Sequence, residues 1–384
     1  MKKLIFKLCI LLLPVVGMYG FELAVFLKSG EIVPVREVIR QQMTRKRLVL
    51  YGPAYSDKAV YFKHQAVLSR SPEIVVIGGS RAMQFRSNFF KDAAIFYNAG
   101  GGVRQLEDFK LFLETIPKEK SPRLIMIGLE HFYFNPNWAA KQRKTVIDED
   151  ISAVDIVFGQ LRFVFKDYMQ GKFCLRNLTM EEPGGAVLIG VNAIIHHNGF
   201  RNDGSYFYGK AIADKTANPS DPGNDDLQFQ DTLGRIARGT NFFEYGDHVS
   251  TGAVAELDAL LKFCKQRDIY VIGFLPPYAQ TIYNRLASMP DKYGYLSEIV
   301  PSAAPVFKRH GYSFYDFSDL TSVGSSDLET VDGFHATEKA YLRLFIVMAT
   351  QSAPLMKYAR DPVYLQKRLD GAAGPCDVFS NSEL

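Results

Sequence analysis

A serine and a histidine–aspartate pair, far apart in the sequence, are the residues best suited to nucleophilic chemistry. Ser80 lies in Ile-Gly-Gly-Ser-Arg at 77–81, directly after an apolar run, and Asp-Gly-Phe-His at 332–335 precedes the last helical pattern. A free serine is a weak nucleophile and needs a base within hydrogen-bond reach. His335 would be that base, and Asp332 would fix its tautomer and stabilise its cation. The two motifs together predict a Ser-His-Asp triad for acyl chemistry.

Each motif has a simpler interpretation when it is taken alone. Ser80 could be a turn serine or a helix cap, and Asp332 could cap the helix that follows it. Because the chain has seven histidines, one Asp-x-x-His match by chance is unsurprising. The order along the chain, with one motif after the first core strand and the other before the last helix, favours the triad.

Short apolar runs predict the strands that would position these residues. Continuous apolar runs of this length are typical of strands buried on both faces of a parallel sheet. The runs are 73–78, 93–97, 123–128, 269–275 and, more weakly, 312–317. Helical spacing of apolar residues occurs at 103–116, 254–264 and 342–349. Strands that alternate with helices predict an α/β fold with a mostly parallel sheet covered on both sides.

Polar and glycine-rich segments follow several of these strands. Ligands of open α/β sheets bind beyond the carboxyl ends of the strands, where 78–80, 98–102, 128–131 and 332–335 are all expected. The oxyanion of acyl chemistry needs N–H donors. The predicted donors are the N–H of Ser80 and one N–H from Gly100, Gly101 or Gly102, a choice that the sequence leaves open.

Three further side chains are candidates for contact with a substrate. Arg81 follows the serine and could bind a carboxylate or phosphate, although a structural ion pair is the simpler role. Glu130 and His131 follow the third predicted strand. The sequence predicts no metal site and requires no catalytic cofactor.

The N-terminus predicts a membrane segment. Met-Lys-Lys is followed by a largely apolar run over 4–27, which only Lys7 and Glu22 interrupt. A basic start before an apolar run of this length directs a segment into the membrane, and the lysines favour a cytoplasmic N-terminus. An uncleaved anchor is favoured over a cleaved signal peptide, which stays the alternative. Both place residues 28–384 outside the cytoplasm.

Composition limits the remaining classes of function. The net charge is +4 and no long run of basic residues occurs, which argues against a nucleic-acid surface.

The 384 residues are predicted to divide into an anchor or signal segment (1–27), a lead-in (28–70), an α/β domain (71–355) and a tail (356–384). An insertion at about 131–245 would form a lid or substrate surface, or a surface excursion without a role. Three cysteines beyond the membrane segment, without close spacing, argue against a disulfide scaffold.

These motifs resemble the SGNH (GDSL-like) hydrolase superfamily. The resemblance rests on the runs 78–81, 98–102 and 332–335 and covers most of residues 71–350. The chain is most similar to the membrane-anchored bacterial branch that acylates exopolysaccharides and cell-wall polymers, such as alginate O-acetylation and teichoic-acid D-alanylation proteins. The resemblance implies a flavodoxin-like three-layer α/β/α sandwich, with Ser80, Asp332 and His335 as its triad.

Two positions depart from the pattern of this superfamily. Gly79 stands where aspartate is common, and the third block reads Gly-Leu-Glu-His at 128–131 where Gly-x-Asn-Asp is usual. The asparagine of that block would donate to the oxyanion, whereas an ionised Glu130 has no proton to donate. These departures predict an oxyanion hole formed by Ser80 and a glycine alone.

The function expected from the resemblance is acyl transfer outside the cytoplasm. Ser80 would accept an acyl group, most plausibly acetyl, and pass it to a hydroxyl of an exopolysaccharide or cell-envelope glycan. A multi-pass membrane acyltransferase is the implied partner that delivers the acyl group. One alternative is a carbohydrate esterase or deacetylase with the same triad. The other is a non-catalytic glycan-binding or assembly protein of the same fold.

Overall fold

The structure is a computed structural model that describes residues 2–141, 145, 147, 150–181, 185–209, 212–213, 229–376 and 378–380, with side chains for residue 7 and from residue 11 onward. Its helices are α1 (Lys2–Ser29), α2 (Val35–Thr44), α3 (Ala59–Arg70), α4 (Glu107–Glu114), α5 (Pro136–Ala139), α6 (Ala153–Met169), α7 (Val191–His196), α8 (Gln230–Arg238), α9 (Thr251–Gln266), α10 (Gln280–Ala287), α11 (Pro290–Tyr293), α12 (Tyr295–His310), α13 (Glu338–Gln351), α14 (Ala353–Met356) and α15 (Pro362–Asp370). Its strands are β1 (Val49–Tyr51), β2 (Ile74–Gly78), β3 (Phe96–Gly100), β4 (Leu124–Gly128), β5 (Val187–Ile189), β6 (Gly199–Phe200), β7 (Tyr206–Phe207), β8 (Tyr270–Leu275) and β9 (Ser313–Asp316).

The chain folds into two compact units that each join distant segments. Unit 1 contains Met1–Lys58 and Glu149–Asn202, and unit 2 contains Ala59–Asp148 and Asp203–Leu384. These units differ from the predicted division, which followed the order of the chain. Residues 149–202 of the predicted insertion belong to the same unit as residues 28–58 of the predicted lead-in. A compact unit is defined by packing, and segments that pack together can be far apart in the sequence.

Unit 2 is built on a parallel sheet with the order β3-β2-β4-β8-β9. Every neighbouring pair in this order runs parallel, and Gly78 at the end of β2 pairs with Gly100 on one side and Gly128 on the other. The predicted α/β fold with a mostly parallel sheet is confirmed. β2, β3 and β4 are buried throughout, as continuous apolar strands in a covered sheet should be.

Helices cover both faces of this sheet. Ile272 and Phe274 of β8 pack in one core with residues of α13 and α15. Because side chains alternate along a strand, Gly273 faces the opposite side, where the ring of Phe307 on α12 occupies the space that a side chain at 273 would take. The predicted tail therefore contributes to the core of unit 2, since α15 buries Leu365 and Leu369.

The second core strand begins later than predicted. The sequence predicted 93–97, whereas β3 is Phe96–Gly100 and residues Ala93–Ile95 form a 3-10 helix. The Asp92 carboxylate accepts from the Ala94 N–H at 2.8 Å, which stabilises this turn. The shift places Asn98 inside the strand instead of in the turn that follows it.

Unit 1 combines a small sheet with long helices. β1 pairs parallel with β5 through Val49 and Val187, and antiparallel with β6 through Tyr51 and Phe200. Helices α1 and α6 pack against each other. The buried carboxylate of Glu31 joins separate segments of this unit, because it accepts from the N–H groups of Ala54, Tyr55 and Val191 at 2.7–3.0 Å.

Helix α1 is the predicted N-terminal apolar helix. Its segment Leu11–Ser29, 19 residues long, is long and apolar enough to cross a membrane. Among the described residues, this is the one helix that satisfies that criterion of length and composition. The apolar helix is confirmed, whereas its insertion into a membrane stays a prediction.

Candidate active site

Ser80 lies at the carboxyl end of β2, at the point where the strand order reverses. The chain continues from β2 to its neighbour β3 on one side, and then to β4 on the other side of β2. Such a reversal leaves a crevice beyond the strand ends, and ligands of open α/β sheets bind there. Residues Ser80–Ala82 form a 3-10 turn directly after the strand, and Ser80 is exposed whereas Arg81 and Ala82 are buried. The turn therefore presents the Ser80 hydroxyl to solvent at the crevice.

The structure brings the three predicted triad residues together. The Oγ of Ser80 lies 2.9 Å from Nε2 of His335, and Nδ1 of His335 lies 2.8 Å from Oδ2 of Asp332. The His335 and Asp332 side chains keep 25% and 29% of their surface exposed. This arrangement matches the order of groups in a catalytic triad, in which the aspartate, the imidazole and the hydroxyl form one chain of hydrogen bonds.

The loop at 332–335 fixes the direction of the Asp332 carboxylate. Its Oδ1 accepts from the N–H groups of Phe334 at 3.0 Å and His335 at 2.6 Å, which leaves Oδ2 for the imidazole. Burial opposes ionisation of Asp332, but the imidazole and these N–H groups outweigh it and lower the pKa of this carboxyl. An ionised Asp332 holds the proton of His335 on Nδ1, so Nε2 is free to accept the proton of Ser80.

The three glycines do not supply the predicted free oxyanion donor. Each of their N–H groups already donates to an oxygen of the protein, as follows: Gly100 to Asn98 Oδ1 (2.7 Å), Gly101 to the carbonyls of Gly78 (2.9 Å) and Gly79 (3.0 Å), and Gly102 to the carbonyl of Ala99 (3.0 Å). All three N–H groups thus have acceptors in this conformation, and donation from one of them to an oxyanion stays a prediction. The N–H of Ser80 has no acceptor among the described residues and stays available.

Asn98 explains why the Gly100 N–H is occupied. Its side chain is fully buried and donates to the carbonyls of Ala82 at 3.1 Å and Phe85 at 2.9 Å, while its Oδ1 accepts from Gly100. The amide thus connects the end of β3 to the turn that carries Ser80. Asn98 belongs to the predicted motif 98–102, but the sequence analysis predicted no role for its side chain. An amide has two donors and an acceptor, so it can join two chain segments at once.

Arg81 and Glu130 form an ion pair in the interior of unit 2. Nη1 of Arg81 lies 3.1 Å from Oε2 of Glu130, and Nη2 donates to the carbonyl of Pro276 at 2.6 Å. Both side chains have 2% or less of their surface exposed. Neither charge reaches solvent in this conformation, and contact of these two residues with a substrate stays a prediction. The simpler role, a structural ion pair, describes Arg81.

Two aromatic rings enclose the Arg81 guanidinium. Its carbon lies 4.1 Å from the centre of the Tyr278 ring and 4.6 Å from that of Phe334. A cation over an aromatic face is attracted by the ring quadrupole, and more strongly where water is excluded. Phe334 belongs to the loop that carries Asp332 and His335. The guanidinium therefore packs beneath the loop of the triad as well as beside the turn of Ser80.

Gly79 is required by the approach of Glu130. A Cβ at position 79 would lie 2.8 Å from Oε1 of Glu130 and 3.3 Å from the hydroxyl of Tyr133. The carboxylate of Glu130 thus fills the space that a side chain at 79 would occupy. Glu130 follows β4, so the residues after two neighbouring strands meet at position 79.

His131 is buried and joins a second polar chain. Its Nε2 lies 2.7 Å from Ser318 Oγ, which donates to Oδ1 of Asp316 at 2.5 Å, and its Nδ1 lies 3.4 Å from Nη1 of Arg81. Burial, with a smaller contribution from Arg81, lowers the pKa of His131 well below its ordinary value. Because Ser318 gives its proton to Asp316, Nε2 of His131 must carry the proton that joins them. This serine is therefore not arranged as a nucleophile.

Burial also raises the pKa of Glu130, although the nearby charges of Arg81 and His335 act in the opposite direction.

Beside His131, a cavity of about 360 Å³ opens at the carboxyl ends of β8 and β9, and its wall includes Tyr278, Asp316 and Ser318. The triad residues do not line this cavity. Among the described residues, no cluster of three or more histidine, cysteine or acidic side chains is arranged to hold a metal ion.

No protein-family model, curated protein sequence or solved structure gives a significant match to this chain. The resemblance to the SGNH superfamily therefore stays a prediction from the sequence motifs.

Proposed function

We propose that this protein transfers an acyl group through Ser80. The observation that carries the proposal is the continuous hydrogen-bond chain from Ser80 Oγ through His335 to Asp332, with steps of 2.9 and 2.8 Å. A serine becomes a useful nucleophile when a positioned base takes its proton. The exposed hydroxyl at a strand-order reversal is also where a substrate has access.

The first step forms an acyl-serine. Ser80 Oγ attacks the carbonyl carbon of the acyl donor, and His335 Nε2 takes the hydroxyl proton. The tetrahedral intermediate then collapses, its bond to the leaving group breaks, and His335 returns the proton to that group. Asp332 stays ionised throughout and stabilises the imidazolium. The Ser80 N–H supports the oxyanion.

The second step releases the acyl group to an acceptor. A hydroxyl of the acceptor attacks the acyl carbon, His335 takes its proton and then returns it to Ser80 Oγ. With a glycan hydroxyl as acceptor the product is an O-acylated polymer, and with water it is the free acid. Because the Ser80 side chain is exposed, hydrolysis competes with transfer unless the acceptor excludes water.

The fold supports the assignment to an SGNH-like enzyme. The parallel sheet of unit 2 has the order β3-β2-β4-β8-β9. When these five strands are numbered 1 to 5 along the chain, the order is 2-1-3-4-5, which is the flavodoxin-like order. The serine follows the first of these strands, and the histidine precedes α13, the helix that packs against the sheet. This distribution of residues is the one that the resemblance implies.

Helix α1 supports a location at the membrane. We assign α1 as an anchor that holds the rest of the chain outside the cytoplasm, since the lysines at 2, 3 and 7 favour a cytoplasmic start. An anchored acyltransferase would act on an exopolysaccharide or cell-envelope glycan, with acetyl as the group by resemblance. The acyl donor would come from a multi-pass membrane acyltransferase.

The test is covalent labelling of the full-length protein in detergent. It is incubated with an activated acetyl ester and with a fluorophosphonate, and the intact mass is measured for the natural chain, Ser80→Ala and His335→Ala. Ser322→Ala is the matched control, because Ser322 is an exposed serine on a 3-10 turn of the same unit.

We expect one adduct in the natural chain and in Ser322→Ala, no adduct in Ser80→Ala, and slow formation in His335→Ala. An adduct that persists in Ser80→Ala would place the nucleophile elsewhere. No adduct from either reagent would favour the non-catalytic glycan-binding protein. Glycan oligosaccharides added to the acyl-enzyme then separate transfer from hydrolysis by the mass of the product.

A further inference from the structure

Helix α6 in unit 1 leaves large apolar side chains uncovered. Phe158 has 67% of its surface exposed, Met169 has 78% and Val154 has 62%. Only Ile156 and Val164 of this 17-residue helix are buried. Single exposed apolar residues are ordinary, but several on one helix indicate a surface that meets another apolar phase.

These side chains share one side of α6. Positions 158, 165 and 169 lie 4, 11 and 15 residues after position 154. In a helix with 3.6 residues per turn, this spacing places all four side chains within a narrow sector. Asp155, Arg162 and Lys166 occupy the adjacent exposed sector, and the buried Ile156 and Val164 lie opposite. Phe163 lies next to Ile156 around the helix, yet it keeps 54% of its surface exposed. The helix therefore has an exposed apolar side, an exposed charged side and a third side that the protein covers only in part.

The exposed apolar side lies next to α1. The ring of Tyr19 is 5.4 Å from that of Phe158, and the ring of Phe21 is 5.0 Å from Phe165 and 4.8 Å from Tyr168. These five aromatic residues form a cluster that we call the aromatic junction. It occupies one short segment of α1.

The same segment is where α1 leaves the protein. Every residue from 11 to 18 is exposed, whereas Glu22, Val25 and Phe26 are fully covered. The exposed stretch 11–18 is the first part of the segment Leu11–Ser29, which is long and apolar enough to cross a membrane. This uncovered stretch of α1 ends at the aromatic junction, and the protein covers part of the remainder.

We infer that α6 is an interfacial helix that inserts its apolar side into the membrane surface beside α1. The inference rests on the proposed membrane anchoring by α1. We assign the bilayer as the phase that covers the exposed apolar side of α6, because this side is continuous with the uncovered surface of α1. Aromatic residues are enriched at the boundary between lipid and water. Arg162 and Lys166 lie on the adjacent exposed side, where they can meet anionic headgroups, as in interfacial amphipathic helices.

This arrangement fixes unit 1 on the membrane at two places. A single spanning helix allows rotation of the attached domain about its axis, whereas a second helix in the interface restricts that rotation. Phe158 and Met169 would then lie among acyl chains, and Asp155 with the two cations would face the headgroups.

Tryptophan fluorescence in vesicles tests the depth of α6. The full-length protein is reconstituted into phosphatidylcholine vesicles with a minor share of phosphatidylglycerol, with ordinary or brominated acyl chains. Phe158→Trp reports on α6 and Leu13→Trp reports on α1. Tyr364→Trp, a partly exposed tyrosine of α15 in unit 2, is the control. The natural chain, whose single tryptophan is buried at Trp138, supplies the background.

We expect brominated lipid to remove about half or more of the added emission from Phe158→Trp and Leu13→Trp, and none from Tyr364→Trp. Equal unfolding curves for the variants and the natural chain show that the substitutions leave the fold intact. Emission from Leu13→Trp that bromine leaves unchanged would overturn the membrane anchoring itself. Quenching of Leu13→Trp without quenching of Phe158→Trp would overturn the insertion of α6 and assign this surface to a protein partner.

Discussion

Ser80 and Arg81 are adjacent in the sequence but belong to two different environments. Ser80, Asp332 and His335 form what we call the reactive corner, where the histidine and aspartate keep about a quarter of their surface in solvent. Arg81, Glu130 and His131 form what we call the buried cluster, in which each residue has 2% or less of its surface exposed. One peptide bond separates a hydroxyl that meets solvent from a guanidinium that does not.

The contrast shows that polar residues at strand ends are not equivalent. In the proposed mechanism a substrate must reach the reactive corner, and its hydrogen bonds leave Nε2 of His335 as the acceptor. The buried cluster satisfies its charges internally, through the ion pair and the Pro276 carbonyl. We therefore expect changes in the reactive corner to alter rate and changes in the buried cluster to alter stability.

Asp332→Asn should have the largest effect, and the effect should be on rate. The amide no longer holds the proton of His335 on Nδ1, so we expect acylation of Ser80 to slow by about 10³- to 10⁴-fold. The free energy of unfolding should change little, because an asparagine Oδ1 still accepts from the N–H groups of Phe334 and His335. The measurement is kcat/KM with an activated acetyl ester, together with denaturant unfolding.

Asp258→Asn is the matched control for that change. Oδ1 of Asp258 lies 2.7 Å from Nε2 of His310 and forms a partly exposed histidine–aspartate pair outside the reactive corner. The rate of Ser80 acylation in Asp258→Asn should equal that in the natural chain. A comparable loss of rate in both variants would remove the distinction between the two pairs.

Arg81→Met should have the largest effect on stability. It leaves the Glu130 carboxylate buried without its partner, which costs about 3–5 kcal/mol. Arg309→Met removes one partner of an exposed pair with Asp258 and should cost less than about 1 kcal/mol. Both values come from denaturant unfolding of the full-length chain. A loss below about 1 kcal/mol for Arg81→Met would contradict the buried role of the pair.

Gly79→Ala tests whether the buried cluster reaches the reactive corner. The added Cβ would lie 2.8 Å from Oε1 of Glu130, and the crowding should cost about 1–3 kcal/mol. It should also reduce the acylation rate, since position 79 precedes Ser80. Gly252→Ala in α9 is the control, because its nearest contact there would be an ordinary 3.5 Å. If both alanines were tolerated equally, Glu130 would not constrain position 79.

The smallest predicted effect is a difference in pH dependence. His131 has a lowered pKa in the folded protein and an ordinary value near 6.5 when unfolded. Below about pH 6.5 the unfolded chain therefore binds a proton that the folded protein does not, so the free energy of unfolding falls as the pH decreases.

This group alone contributes a slope of up to about 1.4 kcal/mol per pH unit. His131→Gln, which can still donate to Ser318, should lose that part of the slope. The measurement is the free energy of unfolding of both chains at about pH 7 and about pH 5.5. Parallel pH profiles for the two chains would show that His131 is protonated in the folded state.

Local patterns were sufficient to predict several elements. The strands near 73–78, 123–128 and 269–275 agree with β2, β4 and β8 to within a residue, because an apolar run bounded by polar residues leaves few alternatives. The strand at 93–97 was placed three residues early, since an aspartate-capped turn in front of β3 is also apolar.

The candidate site was predictable only in part. The sequence named Ser80, Asp332 and His335, and the structure places them within hydrogen-bond distance of one another. It did not indicate that the N–H groups of Gly100, Gly101 and Gly102 would all be occupied. Which carbonyl faces a given N–H depends on how β2, β3 and the turn pack, and no single segment encodes that.

The sequence by itself determined the α/β alternation, the apolar N-terminal helix and the residue types of the reactive corner, because periodicity and composition act over short distances. The tertiary structure decided which of these residues meet solvent. Burial depends on segments far apart in the chain, as when Glu130 from β4 fills the space beside Gly79. It also decided that residues 149–202 fold with residues 1–58. Solvent access and long-range packing are properties of the assembled chain, so a local pattern cannot specify them.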